Sequence, residues 1–232
     1  VTLKPRLGSR RGFTLVEVLV VLVILGLLTG LLLAGVGSAR VAVNKAKCLS
    51  NQRQIGLALM NYAHDHDGMF PPTTHSTGSW KKERSWIYGL APYLADMDEI
   101  RICPAEPAAR QKQIRDRNAT SYVLNDLVFD SYEHNSLLKV PKPSQTILLF
   151  TLSESRAPSI TRDHIHGGEW SSWARALNDI EPDRHRFGAR ASNRLKGSAN
   201  YLYADGRVEN KSASELKSLF DRGINPAAVP AE

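Results

Sequence analysis

Between Phe13 and Gly37 run 25 residues whose only ionisable side chain is that of Glu17. As an α-helix rising 1.5 Å per residue, such a run covers about 37 Å. The hydrocarbon core of a bilayer is about 30 Å thick, so residues 13–37 read as one membrane-spanning helix. No proline interrupts the run, and neither kink nor melted segment is expected within it. A carboxylate in such a helix costs about 2.5–3.5 kcal/mol at the bilayer centre and less near the interface. Glu17 therefore needs a partner or a function.

The residues before this run are basic. Lys4, Arg6, Arg10 and Arg11 stand in residues 1–12 with no acidic residue among them, and positive charge beside a first membrane segment holds that end in the cytoplasm. The bulk of the chain is then expected on the far side. The formal charge of +7 falls to +3 once these four are set apart, which is too mild an excess to argue for nucleic acid. Gly12 ends the basic stretch. If a protease cuts after Gly12, Phe13 gains a free amino group, and a neighbouring copy can offer that cation to Glu17.

Basic leader, Gly12, Phe13-Thr14-Leu15-Val16-Glu17 and an unbroken apolar helix together resemble the prepilin-type cleavage and methylation signal of type IV pilins and type II secretion pseudopilins. The resemblance implies a membrane-embedded aspartyl peptidase that cuts after Gly12 and N-methylates Phe13. It also implies other pilin or pseudopilin subunits and an inner-membrane assembly platform as partners. The implied location is the bacterial inner membrane, single-pass, with a periplasmic C-terminal domain. Two other readings compete: an ordinary signal anchor, and a twin-arginine signal on Ser9-Arg10-Arg11-Gly12-Phe13. Export signals have a short apolar region before a small-residue cleavage site, whereas this run is long and holds a glutamate.

The expected fold class is α+β: a long N-terminal helix packed on a small antiparallel sheet. Residues 38–68 continue the helix, because Ser38 to His64 contain no proline and Cys48, Ile55, Leu59 and Tyr62 recur on one helical face. Asn51, Arg53 and Asn61 are left for water. Gly68 and Pro71-Pro72 are stop signals. A globular domain of residues 69–224 follows, with a short helix around Trp86, Leu90, Tyr93 and Leu94. Thr120 to Phe129 and Thr146 to Leu152 read as strands. Residues 155–196, charged and irregular, read as a surface insertion that holds three of the seven histidines. Asp205-Gly206 between alternating residues predicts a tight hairpin, both turn positions tolerating positive φ. Ser212 and Glu215 offer a capping box for a helix through Phe220. The tail, 225–232, reads as flexible.

A second resemblance rests on Cys48 to Leu59, Tyr62 to Gly68, Pro71-Pro72, Ile102-Cys103-Pro104, Ser121 to Asn125 and Val140 to Ser144. These segments are similar to landmarks of large pseudopilin-like proteins with a C-terminal H-X9-DG domain. Leu195 occupies the position ten before Asp205 where that family has histidine. Arg184-His185 would match if Arg186 to Leu195 were inserted, so the motif is degenerate and a role for its histidine is open.

Only two cysteines are present. Cys48 and Cys103 either pair in an oxidising compartment, which would contribute about 4 kcal/mol in the chain-entropy model, or remain two thiols. His64-Asp65-His66-Asp67 and the group Asp163, His164, His166 and Glu169 contain ligand types for a metal, but neither is a complete set. The first reads as a solvated helix end and the second as a surface loop. No nucleophile elbow or phosphate loop is present, so no catalytic residue, cofactor or metal is assigned. A membrane-anchored periplasmic metal-dependent enzyme and a surface-binding module using Trp80, Trp86, Trp170 or Trp173 stand as alternatives.

Overall fold

The computed structural model describes residues 12–78 and 81–231. The expected leader, Gly12 apart, and Trp80 lie outside the described residues. The chain forms two compact units, Val1–Arg40 and Val41–Glu232. Helix α1, Leu15–Asp65, begins in the first and ends in the second, running through the expected membrane span and most of the expected continuation over residues 38–68.

In the first unit the side chains from Leu15 to Leu31 are open to the surroundings, among them Leu15 at 81%, Val21 at 54% and Leu31 at 75% exposure. The helix is long and apolar enough to cross a membrane. An apolar surface this extensive marks a segment covered by lipid or by other protein.

In the second unit α1 stops where chain chemistry dictates. Gly68 N–H donates to Ala63 O at 2.7 Å, with Asp67 at φ +53° and Gly68 at φ +80°. Glycine takes this left-handed conformation without penalty, and aspartate tolerates it. Pro71 and Pro72 follow. Five short helices come next in the chain: α2 (Thr74–Thr77), α3 (Trp86–Gly89), α4 (Met97–Ile100), α5 (Ala108–Asp116) and α6 (Asp126–Phe129), the last preceded by strand β1 (Tyr122–Leu124). Strand β2 (Ile147–Thr151), helix α7 (Trp173–Asp179), strands β3 (Ser198–Tyr203) and β4 (Val208–Ser212) and helix α8 (Ala213–Asp221) complete it.

The four strands form an antiparallel sheet in chain order, with Val123 opposite Phe150, Leu149 opposite Leu202 and Tyr201 opposite Glu209. Both faces are covered. Cys48, Ile55 and Leu59 of α1 join Trp86, Tyr122, Leu148 and Leu202 in one core. Val123, Phe150 and Tyr201 face a second core with Ile165, Trp170, Ala176 and Leu216. Double coverage explains why every residue of β2 is buried, a continuous apolar run in place of alternation. Gly56 sets the approach of α1 to the sheet, because a Cβ there would stand 2.8 Å from Leu202 Cδ1.

The second strand expectation, Thr146 to Leu152, corresponds to β2. The first does not survive whole: β1 ends at Leu124, and Asn125 accepts a hydrogen bond from Leu127 N–H to cap α6. Side-chain capping by asparagine outcompetes the β-propensity of Leu127 to Phe129. The hairpin is present, but only Gly206 has positive φ, at +85°. Gly206 N–H donates to Tyr203 O at 3.0 Å, and Asp205 Oδ1 accepts from Arg207 N–H. The turn is thus an ordinary one closed by a left-handed glycine. Ser212 and Glu215 form the expected capping box.

Two surface expectations are corrected. Residues 155–196 are irregular, yet Asp163, Ile165, Trp170, Ala176, Ile180, Glu181, Asp183, Arg184 and His185 are buried. The segment walls the second core, its buried charges paired within the segment, as Arg194 with Glu181 and Asp183, or with residues outside it, as Arg184 with Glu106 and Glu154. The tail also packs: Ala227 is fully buried, its carbonyl accepts from Asn125 Nδ2 at 2.8 Å, and Asn225 Nδ2 donates to Gly167 O at 2.8 Å.

Candidate functional site

At the start of α1 the backbone N–H and the hydroxyl of Thr14 both donate to Glu17 Oε2 at 2.8 Å. Glu17 N–H donates to Thr14 Oγ1 at 3.3 Å. This is a reciprocal capping box, legible in the sequence as Thr14-x-x-Glu17, and it gives the glutamate a partner within its own helix beside the external one expected. Phe13, immediately before it, is 87% exposed. Gly12, Phe13 and Glu17 thus stand together at an accessible helix end, with the Glu17 carboxylate held in place by Thr14. A carboxylate has about four acceptor sites, so this one retains capacity for a further donor.

In the second unit, Cys48 of α1, Cys103 after α4 and His185 before β3 converge. Their sulfur and nitrogen atoms all lie within 4.8 Å of one another. The cysteines are free thiols and fully buried. Burial, and after it the neighbouring Cys48, pushes the Cys103 thiol well above its ordinary value. Tyr122 Oη donates to Cys48 Sγ at 3.5 Å. His185 is pinned by its backbone, which exchanges hydrogen bonds with Ser198, while both ring nitrogens are buried without a nitrogen or oxygen partner.

A buried ionic network adjoins it. Arg184 lies 3.0 Å from Glu106 and 2.5 Å from Glu154, Arg110 pairs with Glu106 at 3.1 Å, and Arg194 pairs with Glu181 and Asp183. Burial pushes the Glu106 carboxyl up, although both arginines oppose the shift.

Neither group with metal-ligand residue types comes together as a full set, although His164 of the second lies with His75 and Asp130, their ligand atoms within 4.8 Å of one another. His66 stacks on Tyr62 with centroids 3.8 Å apart and donates to its carbonyl, Asp65 accepts from Tyr93, and the stretch ends the helix. Asp163 accepts from Thr74 N–H at 3.1 Å, Thr74 Oγ1 at 2.8 Å and Ser85 Oγ at 3.3 Å. It is a buried strut, in contrast to the surface loop expected. His164 Nδ1 donates to Asp163 Oδ1 at 2.9 Å. His166 turns to a cavity of about 480 Å³ that His75, Asp126, Asp130 and His134 also line, while Glu169 borders a separate hollow beside Arg175 and Asn178. Burial raises the Asp126 carboxyl despite the Gly167 N–H it accepts.

Trp86 and Trp170 are buried, their Nε1–H groups donating to Asp163 O and Asp179 Oδ2. Trp173 donates to Asn193 O. Trp86 and Trp170 are anchors of the fold, and Trp173 is half-buried against Phe220.

Compared with known families, residues 7–33 match the model described as the prokaryotic N-terminal methylation motif. Residues 37–100 match one described as a protein of unknown function, DUF1559. No curated protein matches the chain. No solved structure matches it either. The methylation motif at the start of a long apolar helix, the adjoining DUF1559 segment and the α+β architecture point the same way: the chain is similar to type IV pilins and pseudopilins.

Proposed function

We propose that the chain is a structural subunit of a filament of the type II secretion or type IV pilus type. A prepilin peptidase/N-methyltransferase cuts after Gly12 and methylates Phe13. Before assembly the subunit sits in the bacterial inner membrane, its N-terminus cytoplasmic and residues beyond the span in the periplasm. The assembly platform then transfers the apolar helix from lipid to a bundle of like helices.

The match of residues 7–33 to the methylation motif carries this reading. The capped glutamate adds a mechanism. Thr14 orients the Glu17 carboxylate at the helix end, one residue from the new amino terminus. In the filament the carboxylate accepts the Phe13 amine of a neighbouring copy, so that each buried charge compensates the other. Glu17→Ala removes the acceptor and leaves the apolar length of the span intact. Membrane fractionation should find the variant inserted at normal levels, with incorporation into filaments lost; normal incorporation would overturn the pairing.

A further inference from the structure

We infer that Cys48, Cys103 and His185 form a binding site for one zinc(II) ion. The three residues come from distant parts of the chain and present two sulfurs and an imidazole within 4.8 Å of one another. Zinc lies about 2.3 Å from thiolate sulfur and about 2.0–2.1 Å from imidazole nitrogen, which sets ligand atoms about 3.5–4 Å apart around a common centre. Closing from a spacing of at most 4.8 Å needs the ligand atoms to approach one another by no more than about 1.3 Å.

His185 provides the independent sign of a ligand. It is 4% exposed, and neither ring nitrogen makes a hydrogen bond to nitrogen or oxygen, its polar neighbours being the two cysteine sulfurs. Buried polar groups are rarely left so, and a metal takes one of these nitrogens. Charge selects the ion: two thiolates, a neutral imidazole and a divalent cation sum to zero, which suits a site shut off from solvent. Copper(I) would leave a net negative charge there. Tyr122, donating to Cys48 Sγ, supports the thiolate from outside the ligand set, as groups around metal ligands do. The ion would tie α1 to the segments before β1 and β3. The site does not depend on the filament reading, since no residue of the N-terminal motif takes part.

The test uses the full-length chain in detergent, produced with zinc supplied and purified without chelator. Elemental analysis should find one zinc per chain, and X-ray absorption should show two sulfur neighbours at about 2.3 Å with nitrogen or oxygen at about 2.0–2.1 Å. Stripping the ion should lower the unfolding midpoint, because a ligand held only by the folded state stabilises it. Cys103→Ser should lose the zinc. His185→Gln should weaken retention against a chromophoric chelator by more than the about 10–100-fold that a supporting residue costs. The wild-type stoichiometry and ligand shell decide the matter even if a variant fails to fold. Zinc-free protein after this preparation, a Cys48–Cys103 disulfide in its place, or uptake of copper(I) but not zinc(II) would each overturn the assignment.

Discussion

Arg184 lies 3.0 Å from Glu106 across 78 positions of chain, and neither side chain is exposed. Such a pair does not stabilise by its attraction alone, because removing two charges from water costs about as much as bringing them together returns. Breaking it is another matter. Arg184→Met leaves Glu106 buried with Arg110 as its remaining close cation, and should destabilise the fold by about 3–5 kcal/mol in urea unfolding. The double variant Glu106→Gln/Arg184→Met should recover much of that loss. A loss below about 1 kcal/mol for the single variant would place the pair among exposed salt bridges.

The second prediction concerns pH. Burial disfavours charge on His164, but the hydrogen bond and charge of Asp163 outweigh it and hold the imidazole above its ordinary value, with Asp130 and Asp126 adding to the effect. The rings of His75 and His166, 5.3 and 5.1 Å away, oppose it whenever they carry charge. A raised folded value means the folded state holds the proton more tightly. The resulting stability is fully present below the unfolded value of about 6.5 and is lost as pH rises through the folded value. The unfolding midpoint should fall over that window, and His164→Gln should flatten the fall. An unchanged pH slope in the variant would contradict the assignment.

Gly56 offers a test of packing. Glycine to alanine in a helix gains about 1 kcal/mol of propensity. Here the new methyl would meet Leu202 at 2.8 Å in a fully buried layer, where overpacking costs about 1–3 kcal/mol. The clash should win, giving a net loss of about 1 kcal/mol in Gly56→Ala by chemical unfolding. A stabilised variant would show that Leu202 has room to move.

Capping and charge pairing at Glu17 are separable. Glutamine serves in a capping box as glutamate does, so Glu17→Gln keeps the bond from Thr14 but removes the negative charge. Glu17→Gln should insert in the membrane and fail to enter filaments. Filament yield equal to wild type would reduce Glu17 to its cap.

Much of this architecture could be read from local pattern. The apolar run, the absence of proline to His64 and the Gly68 stop specify α1, and Asp205-Gly206 with Ser212-x-x-Glu215 specify the C-terminal hairpin and helix. What escaped was long-range compensation. Arg184, Glu181 and Asp183 look like surface residues because their neighbours in sequence are polar, and nothing local reveals Glu106 as the partner of Arg184. Asp163 looks exposed for the same reason, since its donors Thr74 and Ser85 are about eighty residues away. Asn125 shows the opposite failure: the cap was local, but the apolar residues around it suggested a longer strand. His185 stands out in the sequence by its spacing to Asp205, whereas its convergence with two cysteines is visible only in the folded chain.

The central claim is that the apolar helix becomes a polymerisation element once Gly12 is cut from Phe13. Tandem mass spectrometry of the amino-terminal peptide from native membranes tests it most directly. The account predicts a chain beginning at N-methylated Phe13; a peptide that runs through Arg10, Arg11 and Gly12 into an unmodified Phe13 would contradict it.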